Sequence, residues 1–183
     1  MITLMRHGDT GRPSYRGQID DALADHGWCQ ARDAVAGQRW DRVVTSPLRR
    51  CADFAQELAD AHGVPLTRDP RLAEYAYGDW QGVTIAELER GDPDALRRFR
   101  DDPERHAPPN AEPLAAFGAR IAAALADIVE TYPMSRVLVV THGAAIRWVR
   151  CRLERRPFGE MAGMDVPNAS LHAIAWPAHE AAA

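Results

Sequence analysis

Two histidines, each followed by glycine and each placed directly after an apolar run, carry the chemical content of this chain. The first follows Met1-Ile-Thr-Leu-Met5 in Arg6-His7-Gly8-Asp9-Thr10. The second follows Arg136-Val-Leu-Val-Val-Thr141 in His142-Gly143, with Arg147 soon after. A third segment, Thr45-Ser-Pro-Leu-Arg-Arg50, closes another short apolar run, and there Arg49 or Arg50 adds a guanidinium. Guanidinium and imidazole donors neutralise a phosphoryl dianion, while a neutral imidazole nitrogen can attack phosphorus in line. A metal suits the set less well, because zinc takes three or more His, Cys or carboxylate ligands and a neighbouring arginine repels the cation.

Chemistry of this kind needs elements that bring the three segments together. Apolar β-rich runs alternate with segments of helical period, which predicts an α/β domain around a mostly parallel sheet. Strands are expected at 2–5, 42–45, 136–141 and 170–176, with a weaker one at 66–69. In such sheets ligands bind at the carboxyl ends of strands, where His7 and His142 both fall. Ser46-Pro47 reads as an N-cap with proline at N1, opening a helix to about His62 that Gly63 closes, with Leu48, Cys51, Ala55 and Leu58 as its buried stripe. Leu114, Phe117, Ile121, Leu125 and Ile128 recur at steps of three and four, predicting an amphipathic helix that Pro133 stops. Residues 90–113 carry five prolines, at 93, 103, 108, 109 and 113, and read as an irregular excursion with one short helix near 96–99. Arg97, Arg98 and Arg100 in that stretch read as solubilising charge. There is no internal repeat and no linker between two cores, only an Ala-rich tail at 180–183.

Composition narrows the classes further. A chain of 183 residues holds one well-buried domain, so residues 1–183 are expected to form one. A formal charge of -4 gives no footprint for nucleic acid or membrane, and no window approaches the ~20 apolar residues of a membrane span. All 22 basic residues are arginine, so the bias itself is neutral unless an arginine sits in a motif. Three cysteines, Cys29, Cys51 and Cys151, lie in helix-like segments without CxxC spacing, which predicts packed free thiols and a cytoplasmic location.

Five ordered segments then carry a resemblance. Leu4-Met-Arg-His-Gly-Asp-Thr10 is similar to the LxRHGET signature of the histidine phosphatase superfamily, the fold shared with phosphoglycerate mutase. Tyr15-Arg-Gly-Gln-Ile-Asp-Asp-Ala-Leu23, with Gly27 and Gln30-Ala31, resembles that family's QGxxDxPLxxxGxxQA segment. Thr45-Ser-Pro-Leu-Arg-Arg-Cys51 resembles SPLxRA, Leu72-Ala-Glu74 with Tyr77-Gly-Asp-Trp-Gln-Gly82 resembles LxExxFGxWEG, and Val139-Val-Thr-His-Gly143 the second histidine motif. The match runs from residue 2 to about 172.

The resemblance implies a three-layer α/β/α sandwich around a mostly parallel sheet, with the excursion, taken as about 75–113, near the active site. It implies His7 as the nucleophile that becomes phosphohistidine, Arg6, Arg50 and His142 as holders of the phosphoryl oxygens, and Glu74 as general acid and base. Its spacing selects Arg50, five residues after Thr45, and leaves Arg49 a surface residue of the first helical turn. Gly8, Ser14, Arg16, Gly17 and Gly143 complete the expected phosphate contacts, and Thr141 is expected to orient His142 through its hydroxyl. Ser46 reads as a cap and not a nucleophile, since GxSxG context is missing. Departures cluster at the rim: Asp9 stands where the family has Glu, Pro13 and Ser14 near a usual Asn, Arg16 for Gln, Gln81 for Glu, and Asn110-Ala-Glu-Pro113 where GGES is typical.

The implied function is a metal-independent and cofactor-independent phosphomonoesterase acting on a small phosphorylated metabolite. The Arg-Gly-Gln-Ile-Asp-Asp and Pro-Leu-Arg-Arg-Cys-Ala stretches look most like α-ribazole phosphatase-type proteins of cobalamin synthesis. The alternatives are a cofactor-dependent phosphoglycerate mutase, which needs a longer cover to keep water out, and a phosphate-binding module without turnover. A homodimer is the one macromolecular assembly entertained.

Overall fold

The computed structural model describes residues 1–177, so the Ala-rich tail at 180–183 lies outside the described residues. Five strands form one sheet: β1 (Ile2–Arg6), β2 (Arg42–Thr45), β3 (Leu66–Arg68), β4 (Val137–Thr141) and β5 (Leu171–Ile174), in the order β3-β2-β4-β1-β5. The first four are parallel and β5 is antiparallel against β1. β4 sits at the centre, and its Val137-Leu-Val-Val140 run is buried on both faces, as a strand covered by helices on either side requires.

The pleat sorts these side chains into two cores. Val137 and Val139, with Ile2 and Leu4, pack on α5 (Leu114–Thr131) and α6 (Gly143–Glu154). Leu138 and Val140, with Met5 and Val43, pack on α1 (Asp25–Val35) and α2 (Arg49–His62). The result is the expected three-layer α/β/α sandwich. α5 and α6 approach closely because Gly118 lacks a side chain: a Cβ there would lie 2.4 Å from the Trp148 indole. Another close approach joins β1 to α1, where a Cβ on Gly8 would lie 2.1 Å from the Gly27 carbonyl oxygen. Backbone cannot yield as a side-chain tip can, so Gly8→Ala is expected to cost about 1–3 kcal/mol, read as a drop of several degrees in the thermal midpoint.

Several local expectations shift. α2 begins at Arg49 with Leu48 as N-cap, not at Pro47 with Ser46 as cap, and Leu48 is only half-buried; Gly63 closes the helix with φ 64° as expected. Thr141 donates its hydroxyl to the Leu72 carbonyl at 3.0 Å, and so does not orient His142. The three cysteines lie in α1, α2 and α6 as free thiols, but Cys29 is exposed. The excursion holds two helices, α3 (Ile85–Gly91) and α4 (Pro93–Asp101). α3 starts at a capping box in which Thr84 and Glu87 satisfy each other's backbone amides. Asp92 caps α4 at 2.9 Å from the Ala95 amide, with Pro93 in the first turn. Phe99 ties α4 to an aromatic cluster, 5.4 Å from Trp80 and 6.1 Å from Tyr77 between ring centres. No described helix is long and apolar enough to cross a membrane.

Candidate active site

Strand register brings the histidines together. Arg6 pairs with Thr141 across β1 and β4, so the residues that follow, His7 and His142, leave the sheet side by side. The His7 amide donates to the Thr141 carbonyl at 3.0 Å, and the two rings meet edge to face at 5.3 Å. On the other side of β4 the Ser46 amide donates to the Val140 carbonyl at 2.9 Å, which delivers Ser46 and then Arg50 to the same place.

The protonation pattern of His7 follows from its partners. Nδ1 lies 2.7 Å from the Gly8 carbonyl oxygen, and Nε2 lies 3.3 Å from the Nε of Arg50. Arginine only donates, so Nε2 carries the lone pair and Nδ1 carries the proton. Burial, with Arg50 and Arg6 adding repulsion, pulls the His7 pKa from its ordinary 6.5 to about 3. The imidazole is therefore neutral across the physiological range, with its free lone pair on the nitrogen beside a cation. Arg50 is itself buried and anchored at its far end, donating to the carbonyls of Gly17 at 2.6 Å and Ile19 at 2.7 Å.

Around these groups lies a cavity of about 520 Å³ whose wall holds five arginines, Arg6, Arg12, Arg16, Arg50 and Arg147, against two carboxylates, Asp9 and Glu74. The chain as a whole carries -4, so the positive charge is local and favours an anion at this spot. Arg6 donates to the Val166 carbonyl at 2.6 Å, while its buried Nε has no partner. A Cβ on Gly143 would lie 3.4 Å from that Nε and 2.9 Å from an Arg147 terminal nitrogen, so two guanidiniums converge over Gly143. Like charges held together with an unpaired donor between them make a ready site for an oxyanion.

Glu74 enters from the loop before the aromatic cluster. Its carboxylate accepts from the Tyr75 amide at 3.1 Å and from the Ala144 amide at 3.3 Å, at the start of α6. Arg120 of α5 fixes the loop by donating to the carbonyls of Arg71, Ala73 and Glu74 at 2.7, 2.6 and 2.9 Å, and Glu112 anchors that guanidinium at 2.7 Å. Gln18 also donates to the Glu74 carbonyl, at 3.2 Å.

Other expected contacts are placed differently. His142 is fully buried and lies behind the cavity wall, with its Nε2 2.7 Å from the Ser46 hydroxyl. Burial and the repulsion of Arg50 and His7 push its pKa well below the ordinary value. Gly8 serves through its carbonyl, which fixes the His7 tautomer, and Gly17 through its carbonyl on Arg50. Ser14 and Arg16 line the cavity but bind each other at 2.9 Å, and Asp21 holds Arg16 at 2.6 and 3.0 Å. Gly143 lines the cavity; Arg49 is exposed, 3.4 Å from Asp53. Asp9 pairs with His26 at 2.9 Å at the rim.

Ser46, Arg120 and Arg147 were not among the expected site residues. Arg147 had a local signal one helical turn after Gly143, and Ser46 lay in the SPLxRA-like segment, whereas Arg120 had none. Ser46 is buried, accepts from the Leu48 amide at 3.3 Å and faces His142. Ser46→Ala leaves the buried imidazole with only the weak Cys51 thiol, 3.6 Å from its Nε2, and is expected to cost about 1–3 kcal/mol, measured as a lower thermal midpoint.

Comparisons with known proteins give the family. The family model described as "Histidine phosphatase superfamily (branch 1)" matches residues 2–183. The protein named uncharacterized phosphatase PhoE of Bacillus subtilis is 32% identical over 151 residues, covering 79% of this chain and 72% of that one. A structure of mycobacterial glucosyl-3-phosphoglycerate phosphatase aligns with TM-score 0.83 at 30% identity, over 93% of this chain and 87% of that one. An Escherichia coli structure described as that of a candidate α-ribazole-5′-P phosphatase aligns with TM-score 0.79 at 26% identity, over 93% and 87%. With two Gly-flanked histidines at adjoining strand ends, a cationic cavity and a family match over nearly its whole length, the chain belongs to the histidine phosphatase superfamily and is a phosphatase.

Proposed function

We propose that this protein hydrolyses the phosphomonoester of a small metabolite through a phosphohistidine on His7, without a metal. The observation that carries the reading is the tautomer of His7: its proton is committed to the Gly8 carbonyl, and its lone pair at Nε2 faces Arg50. In the first step Nε2 attacks phosphorus in line as the P–O ester bond breaks, and Glu74 gives a proton to the leaving alkoxide. Arg50, Arg6 and Arg147 balance the charge on the transferring phosphoryl oxygens. In the second step Glu74 takes a proton from the water that attacks the phosphohistidine, releasing inorganic phosphate and restoring neutral His7. His142 acts from beneath, holding the His7 ring by its edge, with Ser46 fixing it in turn. We read residues 1–183 as one domain built for this reaction.

The substrate proposed for testing first is α-ribazole 5′-phosphate, in line with the stretches that look like α-ribazole phosphatases and the named Escherichia coli relative. The experiment is rapid quenching with a labelled monoester. An acid-labile, base-stable phosphoenzyme lost in His7→Gln, with turnover insensitive to chelator, is the expected result. Phosphoryl exchange between the positions of 3-phosphoglycerate with negligible phosphate release would instead assign a mutase. A panel of phosphorylated metabolites ranks the substrate.

A further inference from the structure

A second chamber, of about 360 Å³, opens beside the catalytic cavity and shares Tyr15, Tyr77, Ala144 and Arg147 with it. Its remaining wall is largely apolar. Phe99 comes from α4, and Phe158, Met161 and Ala162 from the 3-10 stretch Phe158–Gly163 after α6. The volume lies within the ~300–1,000 Å³ of small-molecule pockets. The cations at this chamber are Arg100, 3.8 Å from Glu89, and Arg147, which has no ion pair among the described residues. Arg147 donates its Nε to the Met164 carbonyl at 3.0 Å and so stands on the threshold of both chambers. Among the described residues no acid and no amide lines the second chamber, and its polar side chains are Arg100, Arg147, Tyr15, Tyr75 and Tyr77. A flat ring would find aromatic faces and a guanidinium able to make a cation–π contact.

We propose that this chamber seats the leaving group, and that the preferred substrates are monoesters of alcohols carrying a planar aromatic ring. The inference rests on the phosphatase reading above and adds the class of alcohol to it. Arg147 borders both the phosphoryl group and the ring, and α4 roofs the ring through Phe99.

The test compares 2-phenylethyl phosphate with ethyl phosphate, two primary alkyl esters that differ in the ring. The kcat/KM ratio is expected to favour the phenylethyl ester by at least about tenfold, the discrimination that partial burial of one ring supplies. Ala162 is exposed on the chamber wall, and Ala162→Phe, checked by its thermal melt, is expected to fill the space and bring the ratio towards one. A ratio near one in the natural protein, or a ratio unchanged in a folded A162F, overturns the inference while leaving the phosphatase reading intact. If neither ester is hydrolysed, the phosphatase reading fails. The chamber is then decided by ligand-observed NMR of 2-phenylethanol with the phosphate-saturated protein: binding reduced in A162F supports it, and no binding overturns it.

Discussion

His7→Ala is expected to lower kcat for any monoester by at least about a thousandfold, the scale of losing a nucleophile that acts as part of a unit. Binding of inorganic phosphate should survive in weakened form, because Arg6, Arg50 and Arg147 remain on the cavity wall. The same residue sets an acid response. His7 stays neutral in the native protein down to about 3, whereas an unfolded histidine titrates near 6.5. Between those values the unfolded chain holds a proton that the native chain does not. The stability contributed by the neutral imidazole is therefore complete above about 6.5 and is lost as pH falls towards 3. His142, shifted in the same direction by burial, adds to it. Thermal midpoints measured from pH 7 to pH 4 should fall in the natural protein and fall less steeply in His7→Ala. An equal slope would contradict a buried neutral His7.

Glu74→Gln is expected to reduce kcat by about 10²–10⁴ on an alkyl monoester. The loss should be much smaller in the first step with an aryl phosphate, whose leaving group departs without a proton. Glutamine cannot take a proton from water either, so phosphoenzyme should accumulate and aryl phosphate should show a burst of phenol followed by slow turnover. The amide also gives one of the Tyr75 and Ala144 amides a donor in place of an acceptor. Thermal melts compared with Glu74→Ala separate this structural effect from the chemical one. Equal losses on alkyl and aryl esters, with no burst, would remove Glu74 from proton transfer.

What could be read along the chain was whatever local pattern encodes. The run of β4 is apolar on both faces because helices cover both, and its ends are set by Arg136 and His142. α5 has its stripe, and its end before Pro133 is a matter of missing donors and ring sterics. The start of α2 was misread because Ser-Pro is a cap signature in isolation, whereas here Ser46 still follows the line of β2 and its hydroxyl is drawn to a histidine 96 residues away. α4 was expected as one short helix near 96–99, whereas α3 was not expected, although Thr84 and Glu87 carry the cap chemistry that starts it; Phe99 ties α4 to the aromatic cluster.

For the site, the sequence by itself determined which groups to propose: two Gly-flanked histidines at strand ends with Arg6, and, through the family motifs, Arg50 and Glu74. The histidines were legible because a parallel sheet presents the residues just after its strands, a position local to each strand, whereas Arg50 and Glu74 were legible only through their motifs. Which face each group shows was decided only by tertiary structure. Register between β1 and β4 put the two rings in contact. The depth of the core then turned His142 towards Ser46 and left His7 as the imidazole on the cavity wall. The packing of α4 and the 3-10 stretch against α6 likewise formed the aromatic chamber, from residues far apart in the chain. Contacts of that kind depend on the distances between packed elements, which no spacing within one segment encodes.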